Sequence, residues 1–199
     1  MSRKKIKPWF KNEANAVVGI DACRASQDWT ALAKHIQDVC TARMQRADAS
    51  RNGAKVQIVQ SREEAEELHD TGRYLFQPPL VARDAAMFDN AMKSNGVSVV
   101  VACREPKTSL GLCPVVALGS GVTTRVQIEE PKNPTKPTCS WFDHALEELG
   151  NHILEQMNKE SASRSQLDYL LAHIPASPTH TGLYNTAIAL CETLVRDNG

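Results

Sequence analysis

The sequence predicts an α/β or α+β fold: a mixed sheet of about four to five strands with an antiparallel hairpin, flanked by helices, and then a C-terminal three-helix segment. Three observations carry that expectation. Val97, Val99, Val100, Val101, Ala102 and Cys103 form an almost unbroken apolar run, as in a central strand buried on both faces. Val115 to Leu118 and the alternating Val122, Thr124, Val126 and Ile128 flank Gly119-Ser120-Gly121, which reads as two antiparallel strands about a turn that tolerates positive φ. Helical stretches precede and follow this block, with apolar residues recurring every three or four positions.

Taken in order, Arg3 to Lys7 carries four cations in five positions, and residues 1–12 read as a basic flexible tail whose end Trp9 and Phe10 can pin. Ala16 to Asp21 fits either a short strand ending in a carboxylate or a helical turn interrupted by Gly19. From Ser26, the spacing of Trp29, Leu32, Ala33, Ile36, Cys40 and Met44 predicts an amphipathic helix capped by Ser26 or Asp28 and stopped by Asn52-Gly53. A strand over Lys55 to Gln60 follows, and Ser61 with Glu64 matches a capping box for an acidic helix whose Glu63, Glu64, Glu66 and Glu67 read as a solvated face.

Tyr74 to Val81 is apolar, but Pro78-Pro79 bars a regular helix, so it reads as a rigid extended segment lying across the core or, if exposed, a docking patch. Ala82 to Ser94 predicts a helix with Ala85, Ala86, Met87, Phe88 and Met92 as packing stripe, and Asn95-Gly96 delivers it into the central strand. That order makes the first strands parallel to the central one. The boundaries are an α/β core over 13–130, a proline-rich linker over 131–138, and a helical segment over 139–199 packed on the core. Ser140 is the expected cap of the first C-terminal helix.

Lysine plus arginine equals aspartate plus glutamate at 23 each. The bulk cationic field of a nucleic-acid binder is therefore missing, and the basic N-terminal tail is the one nucleic-acid contact the composition offers. The six cysteines include no C-x-x-C pair, which disfavours zinc-ribbon and thioredoxin-type readings. With no apolar run of membrane-spanning length and no signal-peptide core, the expected location is cytoplasmic and reducing.

Three sets of residues invite chemistry. Asp21 at the end of the first candidate strand, Asp84 opening a helix and Glu105 after the central strand can hold a divalent cation, Mg or Mn, if they share a sheet edge. The stretch Arg83-Asp84-Ala85-Ala86-Met87-Phe88 through Val99-Val100-Val101-Ala102 resembles the segment of PIN-type nucleases in which an aspartate opens a helix and a strand ends on an acid. The resemblance covers about a tenth of the chain and implies metal-dependent hydrolysis of nucleic acid. It departs from that family in placing Glu105 where an aspartate is usual, in the short interval from Asp21 to Asp84, and in the hairpin and helices beyond. On the residues themselves, Asp84 reads first as a helix cap and Glu105 as a turn residue. His144, Glu148 and His152 read as a polar helix face, with Glu148 and His152 as a pair, because their spacing matches no metal-binding helix motif. Cys139, near a helix N-terminus, with distant His180, reads as packing.

No spacing specific to a catalytic class occurs. The leading expectation is thus a non-enzymatic interaction or regulatory module that binds a protein partner or itself, without cofactor, membrane or resident metal. Its contact surfaces are the Tyr74 to Val81 segment, with Tyr74 and Phe76, the loop Arg104 to Gly111, with Arg104 and Lys107, and the last helices. The alternative is a metal-dependent hydrolase using Asp21, Asp84 and Glu105.

Overall fold

A computed structural model describes residues 7–51 and 55–197. In chain order these form α1 (Pro8–Ser26), α2 (Trp29–Ser50), β1 (Val56–Val59), α3 (Arg62–Glu67), β2 (Gly72–Phe76), α4 (Ala82–Ser94), β3 (Val99–Arg104), β4 (Cys113–Leu118), β5 (Thr123–Ile128), α5 (Cys139–Gln156), α6 (Ser163–His173), a 3₁₀ turn (Ile174–Ala176) and α7 (Thr181–Asp197). The five strands lie in sequence order. β1, β2 and β3 run parallel, joined by helical crossovers, while β3, β4 and β5 are antiparallel neighbours, so the sheet is mixed, as the sequence predicts.

β3 is the middle strand, with four of its six residues buried. On one face of the sheet Tyr74, Phe76, Val99 and Cys103 pack with Phe88 and Met92 of α4. On the other, Leu75, Val100, Ala102 and Val115 pack with Phe142, Leu146 and Leu149 of α5. Helices thus cover both faces. β5 alternates as its sequence does, with Thr124 and Ile128 buried and Thr123, Arg125 and Gln127 exposed. Gly121 closes the hairpin at φ +76.

The N-terminal third departs from expectation. Residues 8–12 are the first turns of α1 rather than tail, with Pro8 at a position where its missing N–H costs nothing and Phe10 buried. The rest of the predicted basic tail, residues 1–6, lies outside the described residues, as does Asn52-Gly53. Ala16 to Asp21 is helical, the helix running through Gly19, where a Cβ would sit 2.5 Å from the His35 ring. The glycine lets α1 lie close against α2. Asp28 caps α2 by accepting the Ala31 N–H at 2.9 Å. The apolar stripes of α1, α2, α6 and α7 converge in one cluster around Leu32, Ile36, Leu170, Leu183 and Ala187. Those of the C-terminal helices are therefore spent inside the fold.

β2 is the element the sequence concealed. Tyr74 to Phe76 belong to a parallel strand with all five residues buried, and the extended proline segment begins only after Phe76. The Ser61/Glu64 capping box is present on α3, and α4 has the predicted bounds, although Met87 points outward at 61% exposure. At α5 the cap is Thr138, which accepts the Trp141 N–H at 3.1 Å, and Ser140 lies within the helix.

Candidate interaction surface

The three acids are placed in different settings. Asp21 is exposed on α1 rather than at a strand end. Asp84 turns back on the start of α4, accepting the Val81 N–H at 2.9 Å and Arg62 at 3.1 Å. Glu105 leaves β3 and accepts from Arg125 at 2.6 Å. Asp84 and Glu105 do share one end of the sheet: burial first, then these two carboxylates, push the Cys103 thiol up to about 12. Among the described residues, however, no three His, Cys, Asp or Glu side chains are grouped to hold a metal ion.

Other candidates are tied into local contacts. Glu148 faces His144 at 4.0 Å and accepts from Asn151 at 3.1 Å, in place of the expected pairing with His152. Arg73 donates to Cys139 Sγ at 3.5 Å, whereas His180 sits further along α5 against Asn151 at 3.1 Å and Glu147 at 3.4 Å. Arg104 donates to Gln77 Oε1 at 3.2 Å and faces Glu130, which Lys107 also reaches at 2.7 Å. These bonds hold the loop after β3, whose tip residue Leu110 is 84% exposed.

Tyr74 and Phe76 are fully buried and present no surface of their own. They instead support an apolar groove between α3 and α4. The Phe88 ring meets Tyr74 at 5.0 Å edge-on and Phe76 at 5.3 Å, which fixes the floor. Leu68, Phe76, Leu80, Phe88 and Met92 line the groove below, Met87 stands at its rim, and its volume is about 600 Å³. The groove exists because the two crossovers differ in length. The 13 residues of α4 span about 20 Å, whereas the six of α3 span about 9 Å, too little to cover the same sheet face. No residue of α3 is buried.

Helix α3 is also strongly charged. From Arg62 to Asp70 the chain carries Glu63, Glu64, Glu66, Glu67 and Asp70 against one arginine, and that arginine is engaged by Asp84. Glu64 is used as a cap, bonding back to the Gln60 and Ser61 N–H groups. Glu63 is held below the usual carboxylate range by its backbone N–H and by the Ser61 hydroxyl. Helix α3 is therefore acidic along its solvated side, while the groove's own lining carries Glu66 and Asp84 beside Arg62 and Arg83. The acidic run reads as a solvated face from sequence alone; the apolar floor beside it is assembled from residues of β2 and α4 and has no local signature. Comparison of the chain with protein-family models, curated proteins and solved structures finds no match.

Proposed function

We propose that this chain is a non-enzymatic protein-interaction module whose α3–α4 groove receives a basic, amphipathic helical segment of a partner protein. The observation that carries the reading is the open groove of about 600 Å³, with a preformed aromatic and aliphatic floor beside the glutamate-rich helix α3. An α-helix laid in such a groove anchors through residues on one face while its cations meet the glutamates on the solvated side of α3. Met87 and Met92, flexible and polarisable, suit a surface that must adapt to its ligand. The cytoplasmic location belongs to the same reading and draws on the six cysteines, five buried and one half-buried, which read as packing residues.

The test uses two synthetic 14-residue helical peptides, one of leucine and lysine and one of leucine and glutamate, titrated against the protein by fluorescence anisotropy. The lysine peptide should bind one to one and weaken as salt rises, and the glutamate peptide should not bind. Met87→Asp, an exposed change that leaves the core intact, should weaken binding at least roughly tenfold. Equal binding of both peptides, or an unchanged affinity for the Met87→Asp protein, would overturn the proposal. Concentration-dependent dimerisation that occludes the groove would replace the foreign partner with a second copy of this chain.

A further inference from the structure

On the other side of α4 the sheet itself opens. β3 and β4 register at Cys103 with Val116 and Arg104 with Val115, and the Glu105 N–H donates to the Pro114 carbonyl at 2.8 Å, but no register pair joins Val99 to Ala102 with Ala117 and Leu118. At the hairpin the Ser120 N–H donates to the Ala172 carbonyl at 2.7 Å, which ties the β4–β5 turn to the end of α6. Gly119 permits this approach, since a Cβ there would collide with the same carbonyl. The wedge between β3 and β4 is a cavity of about 300 Å³, walled by Val99 to Cys103, Val116 to Leu118 and the alanines of α4. Peptide groups on the facing strand edges therefore border it without partnering each other.

The polar end of the wedge is formed by Arg43, Arg46, Asp89 and Lys93. Arg43 and Arg46 are 8% and 4% exposed. Arg43 donates Nε to Glu13 at 2.8 Å and Nη1 to the Tyr184 hydroxyl at 3.1 Å. Arg46 donates Nη1 to Asp89 at 2.8 Å, and Lys93 lies 3.4 Å from Glu13 and 3.7 Å from Asp89. Three cations thus share two carboxylates, leaving one positive charge in surplus at the polar end of the cavity, where Lys93 is partly exposed. Nη2 of each arginine is bonded to no protein acceptor among the described residues.

We infer that this wedge binds a small organic monocarboxylate. One negative charge balances the surplus, whereas a phosphate dianion would leave an excess of the opposite sign. The planar guanidinium groups match a carboxylate in shape, and the valine and alanine walls take an apolar body in a space of roughly ten water-sized groups. This site is independent of the groove, although α4 walls both.

Hexanoate and benzoate are the probes, with hexanamide and inorganic phosphate as controls, each titrated by calorimetry and by amide chemical shifts. The carboxylates should bind saturably and perturb amides of β3, β4 and α4, while hexanamide and phosphate should not. Lys93→Gln removes the surplus charge and should weaken hexanoate roughly tenfold, whereas Asp89→Asn enlarges the surplus and should strengthen it by a similar factor. Ala86→Trp, on the half-buried outer part of α4, should block the wedge without touching the charges. Hexanamide binding as well as hexanoate, phosphate binding better than either carboxylate, no binding at all, or affinities indifferent to all three variants would each overturn the assignment.

Discussion

Glu13 of α1 and Arg43 of α2 form an ion pair at 2.8 Å in which the two side chains are only 4% and 9% exposed. Arg46 and Lys93 approach the same carboxylate at 3.6 and 3.4 Å, so one glutamate holds α1, α2 and α4 together. Arg43 extends the connection to Tyr184 of α7.

Removing that carboxylate leaves buried cations facing one another. Glu13→Gln should therefore destabilise the fold by about 3 kcal/mol, read from urea unfolding. The double variant Glu13→Gln/Lys93→Gln should lose less than the two single losses combined, because part of the repulsion is gone. A Glu13→Gln protein as stable as the wild type would show that the network contributes nothing.

The same residue sets a pH dependence. Burial alone would raise the Glu13 carboxyl, but Arg43, Arg46 and Lys93 outweigh it and hold the group below its ordinary 4.5. Above that value the carboxyl is ionised in both states and its stabilisation is complete. As the pH falls, the unfolded chain takes the proton first, and the contribution is lost until the pH has passed through the lower, native value. The stability gap between wild type and Glu13→Gln should accordingly narrow between about pH 5 and pH 3. A gap that stays constant over that range would argue against the assignment.

Gly19 is held small by the His35 ring. Gly19→Ala should cost about 1–3 kcal/mol despite the better helix propensity of alanine, and adding His35→Ala should recover most of it. Stabilisation by the single change would mean that His35 swings aside freely.

Asp84 separates the metal reading from the capping one. If it serves α4 through the Val81 N–H, Asp84→Asn should cost less than about 1 kcal/mol and Asp84→Ala more. Thermal unfolding of each protein should be the same with chelator as with Mg²⁺ or Mn²⁺. A metal-dependent rise in Tm that the asparagine variant abolishes would restore the hydrolase hypothesis.

Features settled within a few residues are legible in the sequence. The bounds of α4 follow from Ala82 to Ser94 and the Asn95-Gly96 stop, the capping box from Ser61 and Glu64, and the hairpin from Gly119-Ser120-Gly121 between alternating runs. β2 is obscured because the prolines of Pro78-Pro79 dominate the reading of the segment that begins at Tyr74, although the strand ends before them. α1 is ambiguous because a glycine signals a break when its packing partner, His35 on the next helix, is out of view.

Periodicity and turn chemistry act over short spans of chain, and they are enough to set the class of the fold, its central strand and its hairpin. Packing alone makes Tyr74 and Phe76 floor rather than surface, leaves α3 too short to close over them, and gathers Arg43, Arg46 and Lys93 around Glu13. These outcomes depend on contacts between residues far apart in the chain, and on the unequal cover that two crossovers of different length give one sheet. No local pattern encodes either, since each becomes energetically decisive only when the layers are packed.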